Sequence, residues 1–435
     1  MSAFAETLTD RERRRGRIYA YFACYFGCFS EVMLDSSAIV ILYIGMLGGT
    51  SMTAMLITSF TGLFGMLTMI PCAALIGRIG MRKAVVIACL IACFGFVLMG
   101  AAPFFGAARL PVAMIGCLAY CFQRSLYGVA WFPLLDAFLR PQDRGSFFGT
   151  MRYSYMIISG VIFFIFGKLM GKEPPLWMMQ AIIAAAGVLV LGRLYCILHF
   201  PADVHEERPA VKNNFREAFM TALRNGPLTG YAVYVCLFGI AYSSILPLTL
   251  LYLRNGIKLP SGTVQIFSTA GIAGSVISYA VYGFMLRKLK IKRMELLVHF
   301  TFIAVALTFF ALPGSCRGFI WIAGAVYFLG AFAEASFRCN NSAEILALAR
   351  PGNKPMASAF VQTYQYTGNC VTRACSAFVM GSGLLADSWQ LGSRTITSFQ
   401  TMFLVCGVLA VLMLILIPTL PSVVPHHQDY YEPMN

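Results

Sequence analysis

Two stretches of this chain, residues 84–105 and 401–419, run for 22 and 19 residues without one charged side chain. About 20 apolar residues in a helix cross the hydrocarbon core of a bilayer. In lipid the backbone amides must bond internally, which leaves only helices or a closed barrel. A barrel would be written as short alternating segments, and these runs are long and continuous. Composition agrees: 59% of the 435 residues are apolar and 12% are charged, against about a quarter charged in a soluble domain. Placed on a soluble surface, that excess would aggregate. The expected fold class is an all-α polytopic membrane protein.

Hydropathy divides the chain into twelve expected spans, at 18–47, 52–76, 84–105, 111–136, 147–170, 176–200, 227–253, 261–286, 294–312, 319–346, 356–380 and 395–418. The longest connection, 201–226, splits them six and six, giving expected units at 1–200, 201–226 and 227–435. Within that connection Asn214 and Glu217 have capping-box spacing, and Phe215, Phe219 and Leu223 share one face. This predicts a short helix along the inner membrane surface. A shift of 210 residues lays Arg82-Lys83 on Lys292-Arg293 and Arg140-Pro141 on Arg350-Pro351. A shift of 209 lays Ser59, Gly62 and Gly65 on Ser268, Gly271 and Gly274. The halves therefore read as copies, two pseudo-symmetric six-helix bundles, and a duplicated bundle places a binding site between the copies near the midplane.

The formal charge of +15 does not imply nucleic acid, because the basic residues form short clusters between apolar runs. With the N-terminus cytoplasmic, 21 of the 33 basic residues fall in cytoplasmic segments, which predicts both termini inside. The fourteen cysteines lie almost entirely within spans, several at i, i+4 spacing, and read as small packing residues. The first apolar run is too long and too acidic, with Glu31 and Asp35, for a cleaved signal. His199, His205, His299, His426 and His427 form no ligand constellation, so no metal and no cofactor is expected. Motifs of membrane enzymes, such as H-E-x-x-H, a nucleophile elbow or a phosphate loop, are missing.

After the second span stands Ala73-Ala74-Leu75-Ile76-Gly77-Arg78-Ile79-Gly80-Met81-Arg82-Lys83. In the fourth stands Arg124-Ser125-Leu126-Tyr127-Gly128. On these segments, the twelve spans and the repeat, the chain resembles the major facilitator superfamily across essentially its whole length. Arg78, Gly80 and Arg82 match the family's G-x-x-x-D-R-x-G-R-R motif, while Ala73, Gly77 and Met81 depart from it. Arg124 and Gly128 match an R-x-x-x-G motif whose arginine is often tied to proton coupling. The G-x-x-x-G-P motif of many antiporters is missing from the fifth span, where Gly160 and Gly167 stand alone, which favours uptake over efflux. The resemblance implies a secondary active transporter working by alternating access, with spans one and four of each half lining the cavity.

Charges at mid-bilayer are costly and ask for a reason. Glu31 and Asp35 share a face of the first span, Arg124 lies in the fourth, and Glu334 and Arg338 share a face of the tenth. Arg373 continues a polar stripe of Gln362, Tyr366 and Asn369 in the eleventh. Tyr242 and Ser243 precede Pro247 in the seventh, where the missing amide favours a bend. Tyr120, Arg124, Tyr127 and Trp131 follow one another at helical spacing, and these rings are either a solute grip or packing. The expectation is one wet pocket in which Glu31 or Asp35 takes up a proton, tuned by Arg124, with static bracing of the pairs as the other reading. Asp136 is expected to latch onto Arg78 or Arg82 at the inner mouth, with Glu344 and Arg350 as the copy. The expected partners are a small-molecule solute, a proton or sodium ion and the bilayer, with the chain working as a monomer. Short tails fit a bacterial inner membrane. A lipid or lysolipid flippase, a membrane enzyme and a non-transporting sensor are the competing readings.

Overall fold

The computed structural model describes residues 8–35, 38–136, 139, 144–201, 215–349 and 354–417; the side chains of Asp35 and Asp136 lie outside that description. Helix α1 (Asp10–Asp35) begins well before the apolar run. Thr9 and Glu12 exchange capping hydrogen bonds there, Thr9 N to Glu12 Oε2 at 2.9 Å and Glu12 N to Thr9 Oγ1 at 3.3 Å. The expected single helix over 18–47 is broken: α2 (Ile39–Met46) turns away from α1 by 54°. Next come α3 (Ser51–Ile79), α4 (Met81–Ala101), a 3-10 turn over Ala102–Ala108, α5 (Arg109–Asp136), α6 (Arg144–Met170) and α7 (Leu176–Leu198). The short α8 (Phe215–Leu223) forms within the connection where a helix is expected. It packs on its own bundle through the Phe219 and Phe360 rings, 6.0 Å apart.

The seventh span is α9 (Gly226–Tyr242) and α10 (Ile245–Leu251), parted at Ser243-Ser244. Helix α11 then runs from Ser261 to Ala311, covering both the eighth and ninth expected spans. Its two ends sit on the same face of the molecule. Ser261 N bonds the Lys172 carbonyl at 3.0 Å, and Gln400 Nε2 bonds the Phe310 carbonyl at 3.2 Å. A straight helix of 51 residues would be about 75 Å long, so α11 doubles back between its two membrane stretches, Ser261–Tyr282 and Lys292–Ala311. Helices α12 (Phe319–Leu348), α13 (Lys354–Gly381) and α14 (Ser398–Leu416) complete the set.

Nine stretches among the described residues are long and apolar enough to span, ten with the bent α1–α2 pair. The stretch Met81–Trp131 holds two helices, α4 and α5, packed side by side. Helix α13 falls short of the apolar test because of its polar stripe, so the fold is a twelve-helix bundle pair. An unexpected β-hairpin, β1 (Ser388–Leu391) and β2 (Arg394–Thr397), fills the connection before α14. Its two-residue turn is set by Gly392 at φ 63°.

The first six spans pack on one another, as do the last six, and the halves meet where α3 lies on α13 and α6 on α11. These contacts approach backbone to backbone. A Cβ at Gly262 would sit 2.4 Å from the Gly167 carbonyl oxygen, and one at Gly65 would sit 2.2 Å from the Tyr366 ring. The repeated glycines do different jobs. Gly62 and Gly65 face α13 across the seam, whereas Gly271 and Gly274 face Tyr327 and Phe328 of α12 within their own half.

Candidate functional site

A cavity of about 530 Å³ lies between the halves. From the first half it is lined by Arg124 of α5, Arg152 and Met156 of α6 and Thr58, Thr61 and Gly62 of α3. From the second half come Tyr242, Ser243 and Pro247, the Glu334 and Arg338 turn of α12, and Gln362, Tyr366, Asn369 and Arg373 of α13. Nine of the singled-out polar residues thus share one opening: Arg124, Tyr242, Ser243, Glu334, Arg338, Gln362, Tyr366, Asn369 and Arg373.

Local chemistry fixes several of them. Pro247 has no amide to offer the Ser243 carbonyl four residues earlier. Arg373 supplies the missing donor, Nε to Ser243 O at 3.2 Å. Its Nη1 crosses the seam to the Thr58 carbonyl at 2.8 Å. Arg373 therefore joins a broken helix of one half to α3 of the other. Arg338 Nη2 donates to Glu334 Oε1 at 2.7 Å on the cavity wall. Gln362 Nε2 donates to Ser358 Oγ at 2.8 Å, and Asn341 Nδ2 to Gln365 Oε1 at 3.0 Å.

Three expected members stand elsewhere. Glu31 does not line the cavity and does not meet Arg124 as the first-span spacing suggested; its Oε1 accepts from Arg193 Nη2 of α7 at 2.5 Å. Arg193 is only 4% exposed and also donates to the Ala23 carbonyl at 3.0 Å. Its guanidinium lies 4.4 Å over the Tyr127 ring. Tyr127 in turn stacks on Trp131 at 5.0 Å, and both are buried inside the first half. The cation brought in by α7 occupies the face that these rings would otherwise offer a solute, so they are packing residues and not lining ones. The Asp35 side chain lies outside the described residues.

At the expected inner mouth Arg82 donates to the Leu198 carbonyl at the end of α7, and Arg78 is exposed. Their expected partner Asp136 has its side chain outside the described residues, as does all of Arg350; Glu344 is buried. Sequence reasoning missed Arg152 and Arg193. Each is a single charge within an apolar run, the signal that picked out Arg124, but both lie nearer a span end, where long cations commonly reach for water. It also missed a polar cluster in the second half. Tyr234 OH lies 2.9 Å from His299 Nε2, and Tyr242 OH bonds the other ring nitrogen. Glu295, one turn before His299, is 4% exposed. Among the described residues no group of His, Cys, Asp and Glu is placed to hold a metal.

Hydrogen bonds between the halves gather at the end remote from the chain termini. Asn255 Nδ2 donates to Ser51 Oγ at 2.8 Å, and Gly262 N to the Gly171 carbonyl at 2.8 Å. A site enclosed by two bundles and closed at one end can hold a small molecule away from both membrane faces in turn.

Comparison with curated sequences gives no match. Solved structures give many. A mutant of the nucleoside transporter NupG is 13% identical with a TM-score of 0.72, covering 93% of this chain and 99% of that one. The D-xylose-proton symporter is 12% identical with a TM-score of 0.69, covering 95% and 99%. A POT family transporter in complex with a thioalcohol conjugated peptide is 15% identical with a TM-score of 0.66, covering 93% and 96%. At such identities the likeness is one of fold. The Major Facilitator Superfamily profile matches residues 12–372, most of the length over which the twelve helices are laid, and the chain belongs to that family of integral membrane transporters.

Proposed function

We propose that the protein is a proton-coupled secondary active transporter that carries a small, acceptor-rich solute by alternating access through the cavity between its halves. The observation that carries this reading is the mixed lining of that cavity. Arg124, Arg152, Arg338 and Arg373 face it beside one carboxylate, Glu334, among the described residues. Each guanidinium offers five donors in a fixed fork, and Tyr242, Gln362 and Asn369 add hydrogen-bonding groups. Such a wall suits a solute rich in oxygen acceptors. With the termini cytoplasmic, as the distribution of Lys and Arg indicates, the joined end is the outer one and the cavity belongs to an inward-facing state. We assign it to a bacterial inner membrane, acting as a monomer.

The test begins with a thermal-shift screen of the purified protein against nucleosides, pentoses, dipeptides and small carboxylates. Stabilising compounds then go to liposome counterflow, and to uptake under imposed proton or sodium gradients. Saturable counterflow of one compound, lost in Arg124→Ala, and accumulation driven by the proton gradient are expected. Binding without counterflow would make the protein a sensor rather than a carrier, and accumulation driven only by sodium would overturn the proton assignment.

A further inference from the structure

The second half contains a set of buried titratable groups leading from the cavity toward the face at which α1 begins and α14 ends. Tyr242 borders the cavity. Its hydroxyl bonds His299 Nδ1 and lies 3.3 Å from the Ala410 carbonyl. His299, fully buried, has Tyr234 OH 2.9 Å from its other nitrogen. Tyr234 and Tyr242 stand eight residues apart on α9, so this relay covers about 12 Å along the helix axis. Glu295 stands one helical turn before His299 on α11, near Tyr234 but not hydrogen-bonded to it. Glu344 of α12, 7% exposed, acts electrostatically on both. The titratable groups facing this cluster are Tyr231, Tyr234 and Tyr242 from α9, Glu295 and His299 from α11 and Glu344 from α12.

Two features set the carboxylates apart from a structural pair. Among the described residues neither meets a cation, whereas Glu31 in the other half has Arg193. Glu295 Oε1 is fully shielded from solvent and has no hydrogen-bond partner. A buried ionised carboxylate without counter-charge or donor costs several kcal/mol or more, and a proton is the smallest ligand that removes this cost.

We propose that Glu295 and Glu344 form a proton-binding site of the transport cycle and that Tyr234, His299 and Tyr242 connect it to the cavity. The proposal rests on the carrier reading and gives it a coupling site in the second half, remote from the first-span carboxylates. The transfer balances without any co-reactant. Glu295, which makes no hydrogen bond to Tyr234 in this state, gives its proton to Tyr234 O when the cycle brings the two together, and Tyr234 passes its own to His299 Nε2. His299 releases the Nδ1 proton to Tyr242 O, and Tyr242, whose own proton is held by the Ala410 carbonyl in this state, releases it to cavity water as its hydroxyl turns from that carbonyl. One O–H is lost at the carboxyl, one is gained in the cavity, and the wire is left reversed for the return.

The test needs no solute. Infrared difference spectra of the purified protein in liposomes, taken across a pH series, report protonated carboxyl groups. The wild type is expected to show a titrating carboxyl band that Glu295→Gln removes and Glu344→Gln displaces. Stopped-flow proton uptake after a pH jump, read with a trapped pH dye, is expected to slow about tenfold in Tyr234→Phe and in His299→Gln, as befits one broken link in a relay. Tyr234→Phe keeps the ring and guards against misfolding, which thermal melts check. A carboxyl titration unchanged in both glutamine variants would overturn the site, and unchanged uptake in Tyr234→Phe would overturn the relay. Absence of counterflow in the wild type would instead sink the carrier reading, a separate measurement on the same liposomes.

Discussion

Replacing Arg373 separates two effects that one side chain now joins. Arg373→Met takes the donor from Ser243 O, whose helical donor is already missing because residue 247 is proline. A carbonyl stripped of its protein donor at this half-buried position on the cavity wall costs about 1 kcal/mol, the low end for a lost partner, and that loss falls within the second half, so it lowers overall stability. The same substitution removes the bond to Thr58 O across the seam. Thr58 lies inside α3, where the helical ladder also reaches its carbonyl. The interhelical bond lost there is therefore worth about 1 kcal/mol, or about fivefold in the balance between closed and open seams. Adding Pro247→Ala restores an amide to Ser243 O. The double variant should recover most of the lost melting temperature while leaving the seam equilibrium displaced. Thermal melts in nanodiscs read the first quantity. Spin labels at Lys172→Cys and Lys258→Cys, one on each half near the joined end, read the second by their distance distribution. Failure of Pro247→Ala to raise the melting temperature of Arg373→Met, or an unmoved label distance, would refute the reasoning.

Other substitutions follow from the same contacts. Glu31→Gln should destabilise the first half by about 3–5 kcal/mol, because it strands the buried Arg193, and Arg193→Met by less, because Glu31 is 30% exposed; replacing both with apolar residues should return much of the yield and melting temperature. Gly262→Ala places a methyl 2.4 Å from the Gly167 carbonyl oxygen and should force the joined end apart, seen as faster thiol labelling of a cysteine placed at Asn255. Cross-linking cysteines at Ser51 and Asn255 with a short reversible reagent should arrest counterflow until a reductant is added; continued transport through the cross-linked protein would rule out opening at that end. Arg338→Gln frees Glu334 from its 2.7 Å partner and should weaken solute binding in the thermal-shift assay about tenfold or more, with little change in the melting temperature of the unliganded protein.

Much of the architecture was legible because lipid imposes length and apolarity on every span, and hydropathy records both. What it does not record is where helical hydrogen bonding stops. Lys288, Lys290, Lys292 and Arg293 mark the exit from the membrane, yet lysine and arginine are good helix formers, and α11 continues through them. The break after Asp35 has no glycine or proline to announce it. The site was legible in its outline and not in its pairings. Helical spacing placed Glu31 on a face, but the cation that meets it lies 162 residues away in α7. No periodicity within the first span can report that. Arg373 was assigned to a polar stripe, and its role follows only when the proline-freed carbonyl of a different helix is found beside it. The buried cluster around His299 escaped because Glu295 and His299 sit next to a basic loop and read as the wet end of a span.

The duplication explains why there is a seam, and the divergence of the copies explains what the seam can do. Equal halves would close both ends with equal strength and gain nothing by rocking. Here the glycines of one copy serve the contact between halves, while their counterparts serve the interior of the other copy. In the first half the buried Arg193 is paired in place with Glu31, away from the cavity. In the second half a proline-broken span, an arginine shared across the seam and carboxylates that meet no cation among the described residues are gathered on helices that border one cavity. A ligand arriving there meets different groups on the two sides of the seam, Arg124 and Arg152 on one and the Glu334–Arg338 turn on the other. A differential of that kind is what an alternating carrier requires, since a ligand shifts a conformational balance only by the difference in its affinity for the two states.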